Sequence, residues 1–72
     1  MFRKEIFRQR LLQVRKENGE TQTQLAQFLG VGKTQISEME NGNTFTTLEK
    51  LVLICEHYKV SSDYLLGLSD EK

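Results

Sequence analysis

Apolar residues recur at helical spacing almost from the start of the chain. Phe7, Leu11 and Val14 stand at i, i+4 and i+7, one stripe of a helix predicted over residues 3–18. Arg8, Arg10, Arg15 and Lys16 surround the stripe. Asn18-Gly19 supplies a stop, because glycine accepts the left-handed conformation that ends helices. Thr21-Gln22-Thr23-Gln24 opens a second helix. Thr21 as N-cap, with Gln24 three positions on, forms a capping box that satisfies orphan amides. This helix, 22–29, places Leu25, Ala26 and Leu29 at core spacing and is broken by Gly30-Val31-Gly32. A third helix is predicted from about Lys33 to Glu40, with Ile36 and Met39 inward and Asn41-Gly42 ending it. After a loop over 43–45, Thr46-Thr47-Leu48-Glu49 reads as another capping box, Thr46 being the cap and Glu49 the N3 partner. The fourth helix extends to about Tyr58, with Leu48, Leu51, Ile54, Cys55 and Tyr58 facing the core. Ser61 precedes a short fifth helix, 62–66, closed by Gly67; Asp63 near its start complements the helix dipole. Residues 68–72 are expected to fray.

The pattern predicts an all-α fold, a compact five-helix bundle forming one domain over 1–72. At 72 residues the core must be small and the stability modest. Hydrophobic content of 38% with 28% charged residues fits a folded, soluble chain rather than a disordered one. No run of about 18 apolar residues exists, so no membrane span is expected. The start, Met1 to Arg8, lacks the apolar stretch of a signal peptide. Cys55, the sole cysteine, has no partner for an internal disulfide, and a cytoplasmic, reducing location is expected.

Net charge is zero, but the charge is divided. Residues 1–36 carry seven basic and three acidic residues; residues 37–72 carry three basic and seven acidic. One basic face would attract phosphate; a solvated charged first helix reads the same way.

Two short helices joined by a glycine-containing turn, residues 22–41, are the central feature. Ala26 is small where the helices must approach, Gly30 permits the sharp turn, Val31 fills the space beneath it, and Ile36 packs the second helix on the first. Such a pair can present its second helix to the major groove, which admits an α-helix. Periodicity alone supports only a helical hairpin.

The stretch Arg15-Lys16-Glu17-Asn18-Gly19-Glu20-Thr21-Gln22-Thr23-Gln24-Leu25-Ala26-Gln27-Phe28-Leu29-Gly30-Val31, followed by Ile36-Ser37 and Glu40-Asn41-Gly42, resembles the phage-repressor and Cro-type (Xre-like) family of lambda-repressor-like DNA-binding domains. Val60-Ser61-Ser62-Asp63-Tyr64-Leu65-Leu66-Gly67 is similar to that family's closing helix, so the likeness covers about residues 8–67. The resemblance implies a third helix lying in the groove of double-stranded DNA. Gln22 and Asn41 would contact phosphates, and Lys33, Thr34, Ser37 and Glu38 would face the bases. Gln35, at the edge of that face, would reach base or backbone. Arg15 and Glu40 match a pair that forms a buried salt bridge between the first and third helices.

Chemistry leaves alternatives open at several of these positions. Lys33 can donate to guanine or simply attract phosphate. Thr34 offers a methyl to thymine and a hydroxyl to either partner. Glu38 can accept from cytosine N4 or stand as a solvated helix charge. Ser37 can read a base or be merely small enough to let the groove wall approach.

The chain departs from the family pattern at several points. Gly32 stands where a capping serine is common, and Thr46 where proline is frequent. Glu20 replaces an apolar residue, which is expected to weaken the contact beside the first turn. Leu53, with Val52, would place apolar surface on the outside of the fourth helix, as a dimer contact or as scattered surface residues.

The expected function is a sequence-specific transcriptional regulator, a repressor bound as a homodimer to an inverted-repeat operator. An antitoxin or anti-regulator holding a protein partner, and a small activator, are the competing readings. No enzyme activity, cofactor or metal is expected. Gly30-Val31-Gly32-Lys33-Thr34 lacks the earlier glycine of a P-loop, Gln27 standing there. His57 reads as a surface histidine and Cys55 as core, and the two are too few for a metal site.

Overall fold

The computed structural model describes residues 2–72 as five helices: α1 (Lys4–Glu17), α2 (Gln22–Leu29), α3 (Lys33–Glu40), α4 (Leu48–Tyr58) and α5 (Ser62–Leu66). Each helix contributes a fully buried aliphatic side chain to the core: Leu11 and Val14 from α1, then Leu25, Ile36, Ile54 and Leu65. Phe7, Met39, Tyr58 and Tyr64 complete the core around them.

Local signals set most of the boundaries. Glu5 in the first turn of α1 and Arg15 and Lys16 in its last turn match the helix dipole. Beyond its end, Asn18 donates from Nδ2 to the Val14 carbonyl at 2.7 Å. Both halves of the α2 capping box form. Thr21 Oγ1 accepts from the Gln24 amide at 3.1 Å, and Gln24 Oε1 accepts from the Thr21 amide at 2.8 Å. At the far end of α2, Gly30 takes φ +73°, a left-handed conformation that a Cβ would strain. The Val31 amide then donates to the Ala26 carbonyl at 3.0 Å, which fixes the turn.

The start of α4 differs from the expected one. Thr47, not Thr46, is the N-cap, and its Oγ1 accepts from the Lys50 amide at 3.2 Å. Either threonine can supply a capping oxygen; the helix begins after the second, with Leu51, Ile54 and Tyr58 buried in the core. The Thr46 hydroxyl is left buried without a hydrogen-bond partner among the described residues. Leu48, expected in the core, is 82% exposed on the rim of an open apolar cleft with Phe2, Phe45 and Leu68. Leu53, expected outside, is half-buried against the core, while Val52 is exposed. Cys55 is half-buried against the core.

The C-terminal residues, expected to fray, lie tied against α1. Arg10 Nη1 donates to the carbonyls of Tyr64 and Ser69, both at 2.6 Å, and Nη2 pairs with Asp70 at 2.8 Å. Its guanidinium lies 4.2 Å from the Tyr64 ring centroid. Lys72 Nζ reaches Glu17 at 2.7 Å. Among the described residues, no helix is long and apolar enough to cross a membrane.

Candidate nucleic-acid interface

The periodicity of α3 divides it into two faces. Ile36, Met39 and Glu40 are buried against α1 and α2. Lys33, Thr34 and Asn41 are exposed on the opposite side, with Ser37 and Glu38 partly so, and Gln35 is exposed at the flank. The spacing 33, 34, 37, 38, 41 therefore forms one continuous polar strip. Gly32 caps α3 without a side-chain hydrogen bond, and only its backbone carbonyl accepts from the first turn, from the Gln35 amide at 3.0 Å. Asn41 closes the helix, its Nδ2 lying 3.5 Å from Ser37 Oγ. Lys33 has no ion-pair partner among the described residues.

Behind the strip sits a buried ion pair. Arg15 Nε donates to Glu40 Oε2 at 2.6 Å, and Arg15 Nη2 donates to Glu40 Oε1 at 3.0 Å, a bidentate arrangement between α1 and α3. The Glu40 carboxylate holds the guanidinium more firmly in its charged form, against the opposing effect of desolvation. Arg15 Nη1 also donates to the Glu20 carbonyl at 2.6 Å, which pins the α1–α2 connection. Gln22, at the first position of α2, donates from Nε2 to Glu40 Oε1 at 2.9 Å.

The basic residues of α1 form less of an open electropositive face than their number suggests. Arg15 is buried in its ion pair, Arg10 holds the C-terminal residues, and Arg8 Nη1 lies 3.5 Å from the Glu40 carbonyl. Of the first half's cations, Lys33 is the one on the α3 strip.

Glu20, expected to weaken the contact beside the first turn, instead joins two parts of the fold. Its carboxylate accepts from the Tyr58 hydroxyl and from His57 Nε2, both at 2.8 Å, linking α4 to the α1–α2 connection. A carboxylate only accepts, so Nε2 carries the proton. His57, expected as a surface residue, stacks on Phe28 with centroids 4.1 Å apart. No local pattern reveals this cluster, because its partners lie 37 and 38 residues apart.

The cluster gives stability a pH dependence. Burial opposes the Glu20 charge, but hydrogen bonds from Tyr58 and His57 outweigh it and hold the carboxyl below its ordinary 4.5. A depressed carboxyl stabilises the fold above that ordinary value, and the contribution is lost as pH falls through the lower folded value. Burial, then the Glu20 carboxylate, push the Tyr58 phenol up from its ordinary 10.0. That contribution is complete below pH 10 and is lost as pH rises toward the folded value. Urea unfolding should therefore show a plateau with losses on both sides. Glu20→Gln should lower the plateau by about 1 kcal/mol and flatten the acid limb. An unchanged acid limb would show that Glu20 does not titrate with folding.

Residues 11–65 match the HTH_3 helix-turn-helix family. The chain belongs to this helix-turn-helix family. Within it, the chain is 39% identical over 66 residues to the uncharacterized HTH-type transcriptional regulator YobD of Bacillus subtilis, covering 92% of this chain and 59% of YobD. It is 38% identical over 61 residues to the HTH-type transcriptional activator BcrR of Enterococcus faecalis, covering 85% of this chain and 30% of BcrR. It is 35% identical over 60 residues to the cryptic phage CTXphi transcriptional repressor RstR of Vibrio cholerae, covering 83% of this chain and 54% of RstR. The chain thus spans less than two thirds of each of these curated relatives. The fold matches the restriction-modification controller protein C.AhdI of Aeromonas hydrophila with a TM-score of 0.75 at 22% identity, covering 86% of this chain and 94% of that one. Architecture and helix count agree with the five-helix bundle expected of the helix-turn-helix family.

Proposed function

We propose that this chain is a sequence-specific DNA-binding transcriptional regulator that reads the major groove with α3. The polar strip of Lys33, Thr34, Ser37 and Glu38, held outward by the buried side of the same helix, is the observation that carries this reading. A rigid helix with one face braced and the other open fits the width of the groove. Gln22 and Asn41 flank the strip at opposite ends and are assigned to phosphates; Gln35 takes base or backbone at the edge. The transcriptional regulators among its relatives support the reading.

Repression follows from occupying a promoter, and an inverted repeat bound by two copies places two reading helices about 34 Å apart. Val52 and Leu48, 55% and 82% exposed on α4, supply most of the apolar surface for that pairing; Leu53, half-buried against the core, offers it only its exposed part. The same surface supports a second reading, a module that holds a different protein. Relatives include both an activator and a repressor, so the sign of regulation follows operator position.

Anisotropy titrations against promoter DNA flanking its own gene, at several salt concentrations, test the proposal. Affinity should fall steeply with salt, with two chains per operator. Gln22→Ala should weaken binding to all sequences alike. Lys33→Ala should cost about 1–3 kcal/mol at one base pair if it reads a base. Unchanged affinity in both variants would place the wrong helix on DNA. A protein partner retained in the absence of any DNA binding would favour the second reading.

A further inference from the structure

We propose that Glu40 is a positioning residue for DNA binding, its carboxylate fixing the Gln22 side-chain amide so that the second Nε2 proton is presented to a phosphate. The inference rests on the assignment of Gln22 to a phosphate.

Glu40 ends α3 and is 4% exposed; Gln22 begins α2 and is half-buried. One carboxylate oxygen, Oε1, accepts from both Gln22 Nε2 and Arg15 Nη2. Because a carboxylate cannot donate, the amide nitrogen rather than the amide oxygen must face Glu40. An amide nitrogen has two protons, and Glu40 takes one. No other hydrogen bond of the Gln22 side chain forms among the described residues, so the second proton is available. Arg15 neutralises Glu40, which allows an acidic group to sit beside a phosphate without repelling it.

The contact has two effects on binding. A glutamine held in one rotamer has already lost the freedom it would otherwise lose on DNA. The anchor also belongs to α3, so the phosphate contact on α2 is kept in register with the base-reading strip. The Arg15–Glu40 bridge alone would do neither.

The test separates positioning from fold stability. Arg15→Met with Glu40→Met removes the ion pair without leaving an orphan charge, a replacement that such sites commonly tolerate. Arg15→Met with Glu40→Gln restores an acceptor oxygen for Gln22 without restoring the charge, its amide group adding donors of its own. On a mixed-sequence duplex of about 25 base pairs at low salt, the first pair should bind about fivefold more weakly than the second. In a Gln22→Ala background, itself about tenfold weaker, the two pairs should bind equally. Equal affinity of the two pairs with Gln22 intact overturns the inference. So does a difference that persists in the Gln22→Ala background. Unchanged affinity in Gln22→Ala alone overturns the phosphate assignment itself. Independently of any variant, one side-chain amide proton of Gln22 in the free protein should be shifted downfield of the ordinary glutamine position and be slow to exchange. Two amide protons at ordinary glutamine positions, both exchanging fast, overturn the proposal.

Discussion

Glu40→Ala is expected to lower the stability of the fold by about 3–5 kcal/mol, the penalty for leaving a buried charge without its partner. Arg15 would remain inside, its Nε and Nη2 protons both without acceptors. Domains of this size are commonly stable by about 5 kcal/mol, so much of the variant population should be unfolded at 37 °C. Urea denaturation followed by far-ultraviolet circular dichroism checks this directly. Removing Arg15 alone should be comparably damaging, because the orphan is then the carboxylate. Replacing both partners by methionine should recover most of the loss. Three variants in that order distinguish an orphan charge from an interaction that stabilises in its own right. A loss below about 1 kcal/mol in either single variant would mean that water reaches the pair and screens it.

Ile36→Ala should cost about 2–5 kcal/mol through the cavity it leaves. Ile36 is fully buried on the inner side of α3, opposite the polar strip. Ile36→Val should cost only about 0.5–1.5 kcal/mol. The two variants make a graded series for function as well. If α3 must be braced to read DNA, affinity under conditions where both variants are folded should fall in the same order. Calorimetric or urea midpoints give the stability series, and anisotropy gives the affinity series. A cavity that weakens the fold without moving affinity would show that α3 needs no support from Ile36 on DNA.

Local chemistry made much of this architecture readable in the sequence. The bounds of α2 and α3 follow from a capping box at one end, a left-handed glycine at the junction and Asn41-Gly42 beyond. Each of those signals acts over three or four residues. The stripe Phe7, Leu11, Val14 and the inward pair Ile36, Met39 follow from helical period. At Thr46-Thr47 the capping-box rule favoured Thr46, because Glu49 lies three positions on, whereas the helix is capped by Thr47. Leu48 and Leu53 show the limit of periodicity, which gives the angle of a side chain on its helix but not whether a neighbour covers it. The roles of Glu20, His57, Tyr58 and Arg10 arise from partners brought together by the whole fold. For Arg10, even its interaction with the chain's last residues could not be anticipated from a pattern that marked them as loose.

The hydrogen bonds from His57 and Tyr58 to Glu20 brace α4 against the start of the helix-turn-helix. Two chains joined through α4 would behave as one rigid caliper. Inserting a single base pair at the operator's centre turns one half-site by about 34° relative to the other, since the duplex repeats every 10–10.5 base pairs. A caliper without a joint cannot follow that rotation, so the phase between half-sites would be as much a part of the recognised signal as the bases themselves.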